Sequence, residues 1–387
     1  MPGSRASRER RRRPRQVNLD DGAAGALQGD CMHGFLPFLT IAVLAGTPTS
    51  APGAHAGAAA AVDALLRDYD GDVPGASVLV LHDGQAVVRR GHGLSDLEQG
   101  IEAGPRTNYR LASITKQFTA AAILLLAEDG LLSIDDPVRR WLPELPAATE
   151  AVTLRQLLSH TSGLVDYEDH IADGFEGQLH DADVLSILAG EDRTYFPPGS
   201  GYRYSNSGYA LLALVVERAS GMDFARFLGA RIFRPLGMAD TVAHREGQDT
   251  VAHRAWGYSR IDGRWIRTDQ SQTSAVLGDG GIYSSIDDLA RWDAALYDDR
   301  LLRPDSLALM FAPATATDEP GVPHYGFGWR LDGDSNWHSG ESIGFRNVIL
   351  RWPRERLTVI VLTNRDDPEP YALAQAIARL FRPGQAP

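Results

Sequence analysis

Residues Arg346–Thr363 read RNVILRW-PRER-LTVIVLT: two apolar runs rich in β-branched side chains, separated by a polar tetrad that opens with proline. Such runs form strands, and Pro353–Arg356 is expected to turn one back on the other. Working outward, Pro370–Phe381 has the period of an amphipathic helix closing the chain. At the other end, Ala58–Asp68 reads as a helix with one apolar face. Two further strands, Ala76–Leu81 and Ala86–Val88, meet through His82-Asp83-Gly84-Gln85, where the Asp-Gly pair signals a hairpin. Between these ends, from about Ser113 to Trp292, the pattern is mostly helical with long loops. Strands at both ends and helices between predict an α+β fold. One antiparallel sheet is built from both chain ends and flanked by helices, with a mostly helical lobe inserted at about 117–280.

The chain has 387 residues, 43% hydrophobic, with a formal net charge of −12. That is room for a sizeable core. No basic stripe of the kind nucleic-acid binding needs appears in the part expected to fold. The first 56 residues differ in character. Arginines cluster at 10–13 and 15, an apolar stretch runs from Phe35 to Ala45, and Ala54-His55-Ala56 has a small-x-small form. Residues 1–56 therefore read as a basic segment and secretory signal cleaved near Ala56, ahead of a domain at 57–387, and the protein is expected to be exported. The alternative is a basic tail on a cytoplasmic protein. The apolar stretch is too short for a membrane span, which needs about 20 residues. The single cysteine, Cys31, precedes that stretch, so the expected domain has neither a disulfide nor a thiol nucleophile.

One position stands out chemically. Lys116 is the only lysine, every other basic side chain apart from histidine being arginine. A guanidinium never gives up its proton in a protein, whereas a buried amine can act as a base. The lysine falls in Ser113-Ile114-Thr115-Lys116, an S-x-x-K spacing, at the head of an apolar run expected to be helical from Ser113 to about Asp129 and to end at Gly130. Residues three apart on a helix share a face, so the Lys116 amine is expected beside the Ser113 hydroxyl. Free N–H groups at the helix start would favour the oxyanion of an acyl-transfer intermediate. The bland reading, a surface lysine, fits poorly with so apolar a flank.

The segment Tyr109–Thr119 (YRLASITKQFT) resembles the nucleophile region of class C β-lactamases and their relatives among D,D-peptidases, D-amino-acid peptidases and esterases. Leu157–Leu164 (LLSHTSGL), Pro197-Pro198-Gly199 with Tyr202–Asn206 (YRYSN), Gly280–Ser285 (GGIYSS) and Asp288-Leu289-Ala290 are similar to later segments of the same serine β-lactamase and penicillin-binding-protein superfamily, in the same order. The resemblance covers about residues 60–383. It implies an acyl-enzyme on Ser113, with Lys116 and Tyr204 moving the protons and Asn206 holding the amine or touching substrate. By the same resemblance His338-Ser339-Gly340 lies on a strand facing the serine, and the Glu341 backbone N–H is a second oxyanion donor beside that of Ser113. Gly340 is expected to leave space for substrate. His338 departs from the lysine found in many β-lactamases, and a solvated neutral imidazole there would still donate a hydrogen bond. Tyr167, Phe175 and Trp256 are expected to shape the pocket.

Other chemistries fit less well. The histidines are scattered, with no H-E-x-x-H or C-x-x-C, so neither a metal nor any other cofactor is implied. Ser113 lacks the flanking glycines of a G-x-S-x-G elbow, and His160 sits in a Thr-Ser-Gly loop. The expected function is hydrolysis of an ester, D-amino-acid peptide or lactam carbonyl in a small-molecule or peptide substrate, esterase or D-peptidase ahead of efficient β-lactamase. The alternative is a non-catalytic penicillin- or peptidoglycan-binding sensor on the same fold.

Overall fold

Strands Ala76–His82 (β1) and Gln85–His92 (β2) form a hairpin in the computed structural model, which describes residues 52–382. Its turn is Asp83-Gly84, at φ 50° and 75°, the left-handed pair that a two-residue hairpin loop demands. Six later strands complete the sheet: Thr315–Ala316 (β3), His324–Tyr325 (β4), Arg330–Asp332 (β5), Ser335–Ser342 (β6), Phe345–Trp352 (β7) and Leu357–Thr363 (β8). Their order is β3-β4-β5-β6-β7-β8-β1-β2, antiparallel throughout. The two ends of the chain meet where β8 pairs with β1, Thr363 opposite Ala76 and Leu357 opposite His82.

The helices that matter to the site are Pro52–Leu65 (α1), Thr115–Glu128 (α2), Asn206–Ser220 (α3), Ile286–Ala295 (α4) and Tyr371–Arg379 (α5). Both faces of the sheet are covered, which explains why β8 is apolar at nearly every position instead of alternating. Val78, Val80, Val348, Leu350, Val359 and Val361 pack with Val62, Leu66, Ala374 and Ile377 from α1, its continuation and α5. Leu79, Leu81, Ile349, Ile360 and Leu362 point the other way, into the core that surrounds α2 and α3. Every residue of α2 from Thr115 to Leu126 is buried. A helix buried all round belongs in the middle of a core; beyond its polar first turns the apolar run Ala120–Leu126 packs on every side, and the small residues Ala120–Ala122 let neighbours approach closely.

The α+β architecture expected from the sequence is the one found, with three differences of detail. The first helix runs Pro52–Leu65 and passes into a 3-10 turn at Arg67–Tyr69, instead of spanning Ala58–Asp68. The inserted region also holds a hairpin, Tyr258–Ile261 with Arg264–Arg267, turned by Asp262-Gly263 at φ 49° and 78°. Finally, β3 to β5 extend the sheet beyond the strands read from the sequence. The arginine run and the apolar stretch of the expected leader lie outside the described residues, while its expected end, Ala54–Ala56, falls in α1. Among the described residues no helix is long and apolar enough to cross a membrane.

Candidate active site

Ser113 is held by backbone geometry before any side chain acts. Tyr109–Arg110 pairs with Ile282–Ser284, and the Leu111 N–H donates to the Ile282 carbonyl at 2.8 Å. Ala112 then takes φ 48°, a left-handed conformation uncommon outside glycine, and turns the chain sharply. Ser113 lies in the resulting 3-10 turn, Ala112–Ile114, which leads into α2. The α-helix therefore starts at Thr115, two residues later than the sequence pattern predicts. Ser113 stays partly exposed while Lys116, one turn on, is fully buried.

Burying an ammonium costs several kcal/mol unless its donors are satisfied. Lysine has three N–H donors, and here each has an acceptor. Lys116 Nζ donates to Ser113 Oγ at 3.1 Å, to Asn206 Oδ1 at 2.8 Å and to the Asp279 carbonyl at 3.0 Å. The acceptors come from three separate segments, so the amine is fixed by tertiary structure rather than by its own helix. The ring centre of Tyr204 lies 4.9 Å from Nζ, and that of Tyr209 5.6 Å.

The residue between Tyr204 and Asn206 explains their spacing. Ser205 is the N-cap of α3, its Oγ accepting from the Gly208 N–H at 3.1 Å. Asn206 is thus the first residue of a helix packed against α2 rather than part of a loop, and Tyr204 is fixed just outside that helix. His160 braces the same corner. Its Nδ1 accepts from the Ser205 N–H at 3.1 Å, and its ring lies 4.3 Å from that of Tyr204. Burial, with the charges of Lys116 and Arg330, pushes the His160 imidazole well below its usual range, so it is neutral. The Tyr204 hydroxyl is buried and has no hydrogen-bond partner.

A cleft opens beside Ser113, lined by Arg110, Glu168, Asn206, Asp279, Glu341, Ser342 and the loop residues Ser271, Thr273 and Ser274. Neither Phe175 nor Trp256 lines it, contrary to expectation; Trp256 is instead stacked between Arg254 and Arg267. Tyr167 lies behind the cleft, donating to Asp279 Oδ2 at 3.2 Å. Two carboxylates that no motif announced, Glu168 and Asp279, are the main addition. Glu168 Oε1 accepts from Asn206 Nδ2 at 2.9 Å, so Asn206 links it to the lysine. Glu168 is exposed, but partial desolvation of its carboxyl and the neighbouring Asp166 raise it above its ordinary range. Asp279, buried at the cleft wall, is pushed up to about 7 by burial, with Lys116 opposing. Arg110 is committed elsewhere, donating to the Ser274 carbonyl at 2.7 Å and to Gln270 Oε1 at 3.0 Å.

The strand facing the serine is β6. Its partner β5 reaches only to Trp337, so from His338 to Ser342 one edge is free to approach the nucleophile turn. Two expectations are corrected here. His338 is not solvated: it is fully buried, its Nδ1–H donating to the Ser339 carbonyl at 2.6 Å and its Nε2 accepting from the Tyr325 hydroxyl at 3.0 Å. Burial first, then Arg330, hold it well below the usual histidine range. Gly340 does not make room for substrate either. A Cβ there would sit 1.9 Å from the Leu111 carbonyl oxygen, so the glycine admits the backbone of the nucleophile turn. Glu341, by contrast, lines the cleft together with Ser113.

Residues 59–382 match the family described as Beta-lactamase. The chain is 32% identical over 317 residues to Penicillin-binding protein 4* of Bacillus subtilis, covering 77% of this chain and 70% of that protein. It is 32% identical over 338 residues to a D-aminopeptidase of Gluconobacter oxydans, covering 82% of this chain and 61% of that protein. Among solved structures it is similar to an octameric penicillin-binding protein homologue from Pyrococcus abyssi, with TM-score 0.74 and 27% identity over 84% of this chain and 77% of that one.

Proposed function

The chain belongs to the beta-lactamase family, whose members similar to it include a D-aminopeptidase, and from that premise we propose a serine hydrolase that works through an acyl-enzyme on Ser113. The observation that carries this reading is the fully buried Lys116 amine, held 3.1 Å from the Ser113 hydroxyl by two further fixed acceptors. The Ser113 oxygen passes its proton to the Lys116/Tyr204 pair and bonds to the carbonyl carbon. The backbone N–H groups of Ser113 and Glu341 hold the oxyanion. The tetrahedral intermediate collapses, and the leaving group departs with the proton taken from the serine. Water then attacks the ester, the same pair accepts its proton, and Ser113 is regenerated. The protons belong to the coupled pair rather than to either residue alone.

The substrate favoured is an ester, amide or short peptide whose acyl part carries a free ammonium. Glu168, Asp279 and Glu341 line the cleft, and the one guanidinium there is already bonded to the 270–274 loop. With His338 enclosed, no free cation among the described residues lines the cleft to meet a substrate carboxylate. Such a cleft disfavours lactams that bear a carboxylate, in keeping with esterase or D-peptidase activity. Export in the manner of a cell-wall protein is part of the same proposal. The test is a fluorophosphonate probe followed by mass spectrometry. Stoichiometric labelling at Ser113, abolished in Ser113→Ala, is expected; folded protein that takes up no label would make it a binding protein instead.

A further inference from the structure

Tyr204 is surrounded by ionisable side chains from every element packed against it. They are Lys116 from α2, Tyr209 from α3, Tyr325 from β4, Arg330 from β5, His338 from β6, His160 from the loop before it and Tyr202 from its own segment. Most of these are electrically silent. Burial holds both histidines neutral and raises Tyr202, Tyr209 and Tyr325 far above the physiological range. Two cations remain. Lys116, in the proposed chemistry, gains and loses a proton, so its charge comes and goes. Arg330 cannot lose its own.

The Arg330 guanidinium carbon lies 5.3 Å from the centre of the Tyr204 ring. Its Nη1 is 3.5 Å from Ser339 Oγ and from His338 Nδ1, placing the charge beside the buried imidazole. The side chain is 13% exposed and is anchored by Glu319, which accepts from Nε at 2.9 Å and also from the Tyr202 hydroxyl at 2.5 Å. We propose that Arg330 is the standing positive charge of the proton-transfer site. It is a positioning residue on β5 that stabilises negative charge on the Tyr204 oxygen while Lys116 moves the proton. It thereby supplies from a neighbouring strand the fixed charge that the neutral His338 does not. The inference rests on the reading of Tyr204 and Lys116 given above.

A nearby cation favours whichever partner of the pair is deprotonated, so its loss moves the acid limb of the rate profile to higher pH. The test is the pH dependence of kcat/KM for a p-nitrophenyl ester in Arg330→Met, Arg330→Lys and Glu319→Gln, with thermal unfolding as a check on folding. With the guanidinium carbon 5.3 Å from the ring centre, an effective dielectric near 20 and Glu319 offsetting part of the charge, the limb of Arg330→Met is expected about one to two pH units higher. That is a loss of about 10- to 100-fold at a fixed pH on that limb, recovered as pH rises. Arg330→Lys keeps the limb in place. Glu319→Gln removes the neutralising carboxylate and moves the limb the opposite way, to lower pH. A purely structural role would lower all rates without moving the limb. An unmoved limb in folded Arg330→Met, or limbs moving in the same direction in both charge variants, overturns the proposal. Tyr204→Phe with wild-type turnover would instead overturn the reading beneath it, so the two failures are distinguishable.

Discussion

Replacing Gly340 by alanine tests the claim that β6 and the nucleophile turn are in backbone contact. The new Cβ would lie 1.9 Å from the Leu111 carbonyl oxygen and 3.4 Å from Ile114 Cγ1, where contacts below 3.0 Å are essentially never seen. The two segments must therefore part by at least 1.1 Å. Neither party is a flexible side-chain end. The Leu111 turn is tied to Ile282 and strained at Ala112, so β6, unpaired on that side beyond Trp337, is the segment that yields. The shift widens the gap between the Ser113 and Glu341 N–H groups, and a misplacement of about 1 Å costs on the order of 100-fold in rate. Overpacking adds about 1–3 kcal/mol of lost stability, a fall in Tm of about 2 °C per kcal/mol in a domain this large. The assay is the acylation burst with an activated ester by stopped flow, alongside calorimetry. A burst within about three-fold of wild type together with an unchanged Tm would refute the reasoning.

Lys116→Arg keeps charge but not basicity, and no planar fork matches three acceptors arranged around one nitrogen; turnover should fall by about 100- to 10,000-fold while the fold persists, and near-normal turnover would dismiss the lysine's role. Glu168→Gln should reduce about ten-fold the preference for a free-amine amino-acid ester over its N-acetylated form, read as a ratio of kcat/KM values; an unaltered ratio would remove Glu168 from substrate recognition. Asp279 binds its proton more tightly folded than unfolded, about 7 against an ordinary value of 3.8, so it lowers stability progressively as pH rises through that window. Asp279→Asn keeps an acceptor for the Tyr167 hydroxyl, and its Tm relative to wild type should improve between pH 5 and pH 8; a difference that does not change with pH would contradict the burial argument.

Sheet and nucleophile were legible for a simple reason: each is specified by neighbours in sequence. Asp83-Gly84 sets a hairpin because two consecutive residues take positive φ, and the Pro353–Arg356 tetrad ends one strand and begins the next. The same logic would have found the hairpin at Asp262-Gly263, whose flanks are too charged to read as strands by apolar pattern alone. Ser113 and Lys116 are linked by helical spacing, and Tyr204 and Asn206 by the capping serine between them. What stayed hidden is specified only by convergence. Glu168, Asp279 and Arg330 lie on a 3-10 turn, a short helix and a strand, at no fixed spacing from Ser113, and they meet because α2, α3 and the sheet pack together. Single carboxylates and arginines are also the commonest surface residues, so nothing in their identity marks them.

The lysine shows how composition and packing constrain each other. In a chain that uses arginine at every other permanent cation, the one amine sits where the geometry calls for a charge that can be given up, and the guanidinium nearest Tyr204 sits where it must not be. Exchanging the two residue types between those positions should therefore not restore function, because Lys116→Arg fixes a charge that has to move. A double variant, Lys116→Arg with Arg330→Lys, keeps the net charge of the site while inverting that assignment. It should be as inactive toward p-nitrophenyl esters as Lys116→Arg alone. Recovery of turnover in the double variant would mean that total charge, rather than the placement of one titratable amine, governs the chemistry.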